Sequence, residues 1–171
     1  MREIIINNQA EMIDLANKIA NEFNREFKSI NFSEKSDKVI ENIDCKTIAL
    51  YGSLGVGKSF FAKNFINNLQ EKKEEILSPT FNIVCNYNTK IGEVFHLDLY
   101  RLKSSFELEN IDFFSIVNNN FTLIEWPEIA EKYLPKNYLS IKIESFFDEK
   151  NNQDFNHNSQ RKITLNHVTN L

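Results

Sequence analysis

The chain is short of the residues that mark several protein classes. Four glycines and three prolines in 171 residues exclude collagen-like and low-complexity architectures. Two cysteines, Cys45 and Cys85, form neither a CxxC pair nor a zinc spacing, so they read as reduced thiols and not as a disulfide scaffold. No apolar run approaches the ~18 residues of a membrane span. The Ile4-Ile5-Ile6 run is too short for a signal peptide, so a cytoplasmic protein with no membrane partner is expected. Excess positive charge is also missing. Twenty Lys and Arg against 24 Asp and Glu give a net charge of −4, which argues against strong independent binding to nucleic acid.

What remains is ordinary for a globular domain, with 42% hydrophobic and 26% charged residues. The length predicts one domain over 1–171 with a sizeable core. Met12, Leu15, Ala16, Ile19, Ala20 and Phe23 recur at three- and four-residue steps and predict a helix over Gln9–Phe27. The polar stretch 24–42 and the Asn-rich stretch 148–160 read as loops. Thr47–Tyr51 reads as a buried strand and Ser59–Leu69 as a helix. Phe81–Tyr87 and Glu93–Leu99 read as strands joined by a hairpin turn. Phe106–Asn118 reads as a helix, Phe121–Ile124 as a buried strand, and Glu128–Tyr133 as one or two helical turns. Tyr138–Glu144 and Lys162–His167 read as the last strands.

Three of the four glycines lie within six residues, in Gly52-Ser53-Leu54-Gly55-Val56-Gly57-Lys58-Ser59. This is GxxxxGK[ST], after a strand and before a helix. Glycines let successive backbone N–H groups turn toward one anion, and the helix start adds its positive end. Lys58 brings an ammonium to the phosphates, and Ser59 offers a hydroxyl to Mg²⁺. Two apolar runs end in acids, one at Asp98 and one at Glu125. Ligands of parallel α/β sheets sit at the carboxyl ends of strands, so both acids are candidates for the phosphate and metal site, although each also fits a surface acid after a strand. His96 shares Asp98's side of its strand and reads as a packed or hydrogen-bonded histidine. Arg101 reads either as a cis arginine finger or as the partner of a nearby acid.

Three classes share such a loop. No NKxD or DxxG sequence is present, which argues against a translation-type GTPase. The arginines stand at Arg2, Arg25, Arg101 and Arg161, too scattered for the phosphate-clamping lid of a small kinase, which stays as the weaker rival. A minimal ATPase acting as a switch within a complex fits best. A nucleotide-dependent regulatory module with negligible turnover is the other alternative.

Beyond the loop, Ser78-Pro79-Thr80-Phe81, His96-Leu97-Asp98-Leu99-Tyr100-Arg101-Leu102 and Ile124-Glu125-Trp126-Pro127-Glu128 resemble the signature of the TsaE family. That family comprises bacterial ATPases of tRNA threonylcarbamoyladenosine synthesis. The resemblance runs from about Gln9 to about Ile143. It implies an α/β fold of P-loop NTPase type, with a central mixed sheet flanked by helices. It implies an ATP- and Mg²⁺-binding protein, weakly active alone, that docks on a TsaD–TsaB pair and meets tRNA only through that complex. The pair modifies adenosine 37 of tRNAs that read ANN codons. The resemblance places the nucleotide against Gly52, Ser53, Leu54, Gly55, Val56, Gly57, Lys58, Ser59, Phe60 and Trp126. It gives Asp98, Glu125 and Thr80 catalytic roles, with Thr80 in a switch-like loop, and it assigns Mg²⁺ to Ser59, Glu125 and Asp98. From the residues themselves, Thr80 also fits a turn-capping hydroxyl and Trp126 plain core packing. The chain departs from the family's usual pattern in three places. Ser53 stands where Asp is common, Ser59 where Thr is usual, and Met12 and Ala16 where a threonine and a glycine near the base are frequent.

Overall fold

The computed structural model describes residues 1–27, 39–40, 44–72, 74–77, 79, 82–146 and 160–169. Seven strands form one mixed sheet in the order β1-β7-β6-β2-β5-β4-β3. They are β1 (Arg2–Ile6), β2 (Thr47–Tyr51), β3 (Val84–Thr89), β4 (Gly92–Asp98), β5 (Phe121–Glu125), β6 (Asn137–Ser145) and β7 (Arg161–Thr169). The centre, β6-β2-β5-β4, is parallel, and β7 and β3 join it antiparallel. This is the α/β architecture expected from the sequence.

Helices α1 (Gln9–Phe27) and α2 (Lys58–Leu69) cover one face of the sheet. Their apolar stripes meet Ile48, Leu50, Leu123, Leu139, Ile141 and Ile143. Phe23, Phe61 and Phe65 are wholly buried there, each worth about 1.5–3 kcal/mol of burial. A second core forms on the other face. There the 3-10 segments Ser105–Ile111 and Pro127–Tyr133 and helix α3 (Phe113–Asn119) pack over Leu97, Leu99 and Ile124.

Three expectations need correction, and one element was not anticipated. The single helix over Phe106–Asn118 is broken at Asp112, which takes a left-handed conformation (φ 55°) between the 3-10 segment and α3. The helix expected over Gln9–Phe27 is found with those bounds, so residues 24–27 of the loop expected over 24–42 belong to α1, where the Phe27 ring packs edge-on against Phe121 at 4.6 Å, and residues 28–38 and 41–43 lie outside the described residues. The strand expected from Phe81 starts at Val84, after Ile83 takes a positive φ of 63°. Finally, β1 carried no expectation. It exists through a ladder with β7, a partner more than 150 residues away. Residues 147–159, most of the second expected loop, lie outside the described residues.

Candidate nucleotide site

Strand β2 is buried along Thr47–Leu50 and delivers the chain to Gly52 at the carboxyl edge of the parallel strands. Gly52 has φ 136°, and a Cβ there would lie 2.2 Å from the carbonyl oxygen of Ile143 on β6. Only glycine lets the loop leave the strand this close to its neighbour. Gly57 (φ 114°) caps α2 without a side-chain hydrogen bond, so the first-turn N–H groups are left for a ligand rather than for a capping side chain.

The Lys58 side chain lies inside this loop. Its Nζ donates to the carbonyls of Gly52 (2.7 Å) and Ser53 (2.9 Å) and sits 3.8 Å from the centre of the Trp126 ring. Burial pulls its pKa below the usual lysine value, while Glu125, Glu128 and Asp98 oppose the shift. A lysine held by neutral carbonyls and a ring face keeps its charge available for an anion. Trp126 reaches that position because the chain turns sharply after β5. Its own φ and ψ are both 55°, rare for a bulky residue and strained by about 1–3 kcal/mol. Its N–H bonds the Leu50 carbonyl at 3.3 Å, and Tyr100 supports the ring at 4.8 Å between centres.

The two acids come from neighbouring parallel strands in register, Asp98 beside Glu125 and Glu125 beside Leu50. Both are buried. Glu125 is held at each oxygen. Ser59 Oγ donates to Oε2 at 2.7 Å, and His96 Nε2 lies 2.8 Å from Oε1. His96 is fully buried, and its Nδ1 has no hydrogen-bond partner among the described residues. Asp98 Oδ1 accepts from the Tyr100 N–H at 3.1 Å. A hydroxyl that gives its proton to Glu125 still presents lone pairs, so Ser59 together with the two carboxylates suits a hard cation. Among the described residues no group of three His, Cys, Asp or Glu could hold a metal by itself. Such a cation would complete its shell with water or phosphate oxygens.

The loop Gly52–Ser59, Phe60, Asp98, Glu125 and Trp126 thus gather at one edge of the sheet. Thr80 lies outside the described residues, as do Ser78 and Phe81. Arg101 is exposed in the turn after β4. Ala16 is buried in the core, and Met12 lines a cavity of about 200 Å³ beside Gly57 and Phe60. His96, expected on Asp98's side of the strand as a packed or hydrogen-bonded histidine, is buried and bonded to Glu125. Sequence reading missed one contributor. Arg161 donates from Nε to the Val56 carbonyl at 3.0 Å, across 105 residues, and no local pattern marks it.

No helix of the described residues is long and apolar enough to cross a membrane. The sequence model of the family described as "Threonylcarbamoyl adenosine biosynthesis protein TsaE" matches residues 6–154. A protein of Rickettsia bellii named tRNA threonylcarbamoyladenosine biosynthesis protein TsaE is 38% identical over 103 residues, 60% of this chain and 72% of that protein. The protein of that name from Rickettsia felis is 37% identical over 103 residues, 60% of each chain. The fold resembles the crystal structure of Bacillus subtilus YdiB, with a TM-score of 0.60 and 23% identity, over 98% of this chain and 85% of that one.

Proposed function

The chain belongs to the TsaE family, and on that premise we propose that it is an ATPase of tRNA threonylcarbamoyladenosine biosynthesis. It binds ATP with Mg²⁺ in the cytoplasm, turns over weakly alone and works with a TsaD–TsaB pair, meeting tRNA through that complex. The observation that carries the reading is the Lys58 ammonium inside the glycine loop, next to the linked Ser59, Glu125 and His96.

Each residue has a task. Lys58 exchanges the Gly52 and Ser53 carbonyls for phosphate oxygens, a charge-assisted pairing about twice as strong as a neutral hydrogen bond. The backbone N–H groups from Gly55 to Phe60 take the remaining oxygens. Ser59, Glu125 and Asp98 would hold the Mg²⁺, which supplies charge neutralisation for the phosphates when bound. Glu125, fixed at both oxygens, keeps Ser59 oriented. Asp98, buried beside it, is placed to accept a hydrogen bond from an attacking water and orient it. Trp126 covers Lys58 and excludes bulk water, which strengthens these interactions.

The test is ATP hydrolysis by the purified chain, alone and with a matched TsaD–TsaB pair. Stimulation by the pair is expected, and Asp98→Asn should bind ATP but lose turnover. Intact binding without stimulation would replace this reading with a nucleotide-dependent regulatory module. ADP formation that depends on a small-molecule acceptor would replace it with a kinase.

A further inference from the structure

Arg161 opens β7, beyond the residues that the family match covers. It pairs in register with Ile6 of β1 and Ser145 of β6. Alternation along the strand puts its side chain on the same face as Ile163 and Leu165, under α1 and α2. At this end of the strand the side chain reaches the phosphate loop instead of the core. Nε donates to the Val56 carbonyl at 3.0 Å and Nη1 to the Gln160 carbonyl at 2.8 Å. Two bonds to two carbonyls fix the plane of the guanidinium.

Arg161 also lines a cavity of about 200 Å³ together with Met12 and Phe60. The cavity lies between the start of α1, the loop at Gly55–Gly57 and the first turn of α2. Its volume is below the roughly 300–1,000 Å³ of a pocket that encloses a whole ligand. It therefore suits a fragment, with the phosphates lying along the loop outside. Its lining is apolar at Ile6, Met12 and Phe60 and carries amides at Asn8 and Gln9. Among the described residues Arg161 is the one charged side chain on it. A cavity that combines a planar cation with apolar side chains is suited to a flat π-system, and the amides to its polar edge.

We propose that Arg161 is a nucleotide-positioning residue whose guanidinium forms one wall of the base pocket and stacks on the base of the bound nucleotide. The proposal rests on the nucleotide reading above. It adds that the last strand of the sheet, and not the loop alone, holds the nucleoside half of the ligand. The same side chain ties that wall to the loop, so base and phosphates are gripped by one connected unit.

The experiment measures binding of ATP and of inorganic tripolyphosphate, each with Mg²⁺, to the full chain by calorimetry. The parent, Arg161→Ala and Arg161→Lys are compared. Tripolyphosphate has the anionic part of the ligand and no base. Arg161→Ala should weaken ATP binding about tenfold or more and tripolyphosphate binding by no more than about twofold. Arg161→Lys keeps the charge and the strand but loses the plane, so it too should lose ATP affinity selectively. It carries the test if the alanine variant fails to fold. Equal losses for both ligands overturn the base contact and leave Arg161 a brace of the loop. Unchanged ATP affinity in both variants overturns the proposal outright. A parent that binds neither ligand overturns the nucleotide reading and this proposal with it.

Discussion

His96 Nε2 lies 2.8 Å from Oε1 of Glu125, and the other oxygen of that carboxylate accepts from Ser59 at 2.7 Å. The carboxylate is shielded from bulk solvent, since Glu125 is 2% exposed and His96 wholly buried. A buried carboxylate without partners is costly, so the imidazole acts as the fixed support of the acid. The result is a carboxylate with one rotamer, aimed at the hydroxyl behind Lys58.

Removing this support should affect turnover more than binding. We predict that His96→Ala lowers ATP hydrolysis about 10–100-fold, the usual effect of losing a partner behind a metal site. On the proposed reading ATP affinity rests mainly on Lys58 and the loop, and it should change far less. His96→Gln restores a donor and should recover part of the rate. Steady-state kinetics with the partner pair present, alongside melting curves, separates this from general destabilisation. Equal rates in the parent and His96→Ala would reduce His96 to a packing residue.

The contact between Lys58 and Trp126 gives a direct optical readout, because Trp126 is the sole tryptophan. With Nζ 3.8 Å from the ring centre, the charge sits against the indole face. Phosphates should draw the ammonium away. Addition of ATP and Mg²⁺ is therefore expected to change the tryptophan emission of the parent and not of Lys58→Ala, which loses nucleotide binding. Identical parent spectra with and without saturating ATP would show that Lys58 does not move.

Much of this site was legible in the sequence because its parts are local. The loop, the strand before it and the helix after it lie within 47–69, where glycine spacing and apolar periodicity speak directly. Asp98 and Glu125 were legible as acids at the ends of apolar runs. Features that depend on distant partners were not. β1 exists through β7, Glu125 is held by His96 across 29 residues, and Arg161 meets Val56 across 105. The break at Asp112 escaped because the apolar pattern continues through it. A capping box at Ser104 and Glu107 starts a 3-10 segment that an α-helical period does not reveal.

Gly52 supplies a steric test. An added methyl group would sit 2.2 Å from the Ile143 carbonyl, at a backbone φ that side chains rarely adopt. The neighbour is main chain of β6 and has no flexible end to yield. Gly52→Ala should cost about 3 kcal/mol or more, a fall of roughly 6–12 °C in Tm for a chain of this size. Nucleotide binding should be lost with it. Gly55→Ala meets no atom within 4 Å, so its cost comes from φ alone and should be smaller. Equal melting temperatures for the two variants would contradict the close approach to β6.

The two thiols should separate by burial. Cys45 is buried and Cys85 partly exposed. Burial, helped by the charge of Asp44, pushes the Cys45 thiol from 9.0 up to about 11. A thiol reagent at pH 8 should thus modify Cys85 first and reach Cys45 only on unfolding. The same shift fixes the sign of a stability effect. Below pH 9 both the folded and unfolded chains hold the Cys45 proton, and the group contributes no pH dependence. Between pH 9 and 11 the unfolded chain has released it while the folded chain retains it, so stability falls as pH rises through that window. Tyr87, pushed up to about 12 by its own burial, and Tyr51, also raised by burial, add a decline of the same sign. Cys45→Ala isolates the thiol's share. Its unfolding free energy should fall less steeply than the parent's between pH 9 and 11, in denaturant titrations at matched ionic strength. Parallel curves for parent and variant, or equal labelling rates for both cysteines, would mean that Cys45 is open to solvent.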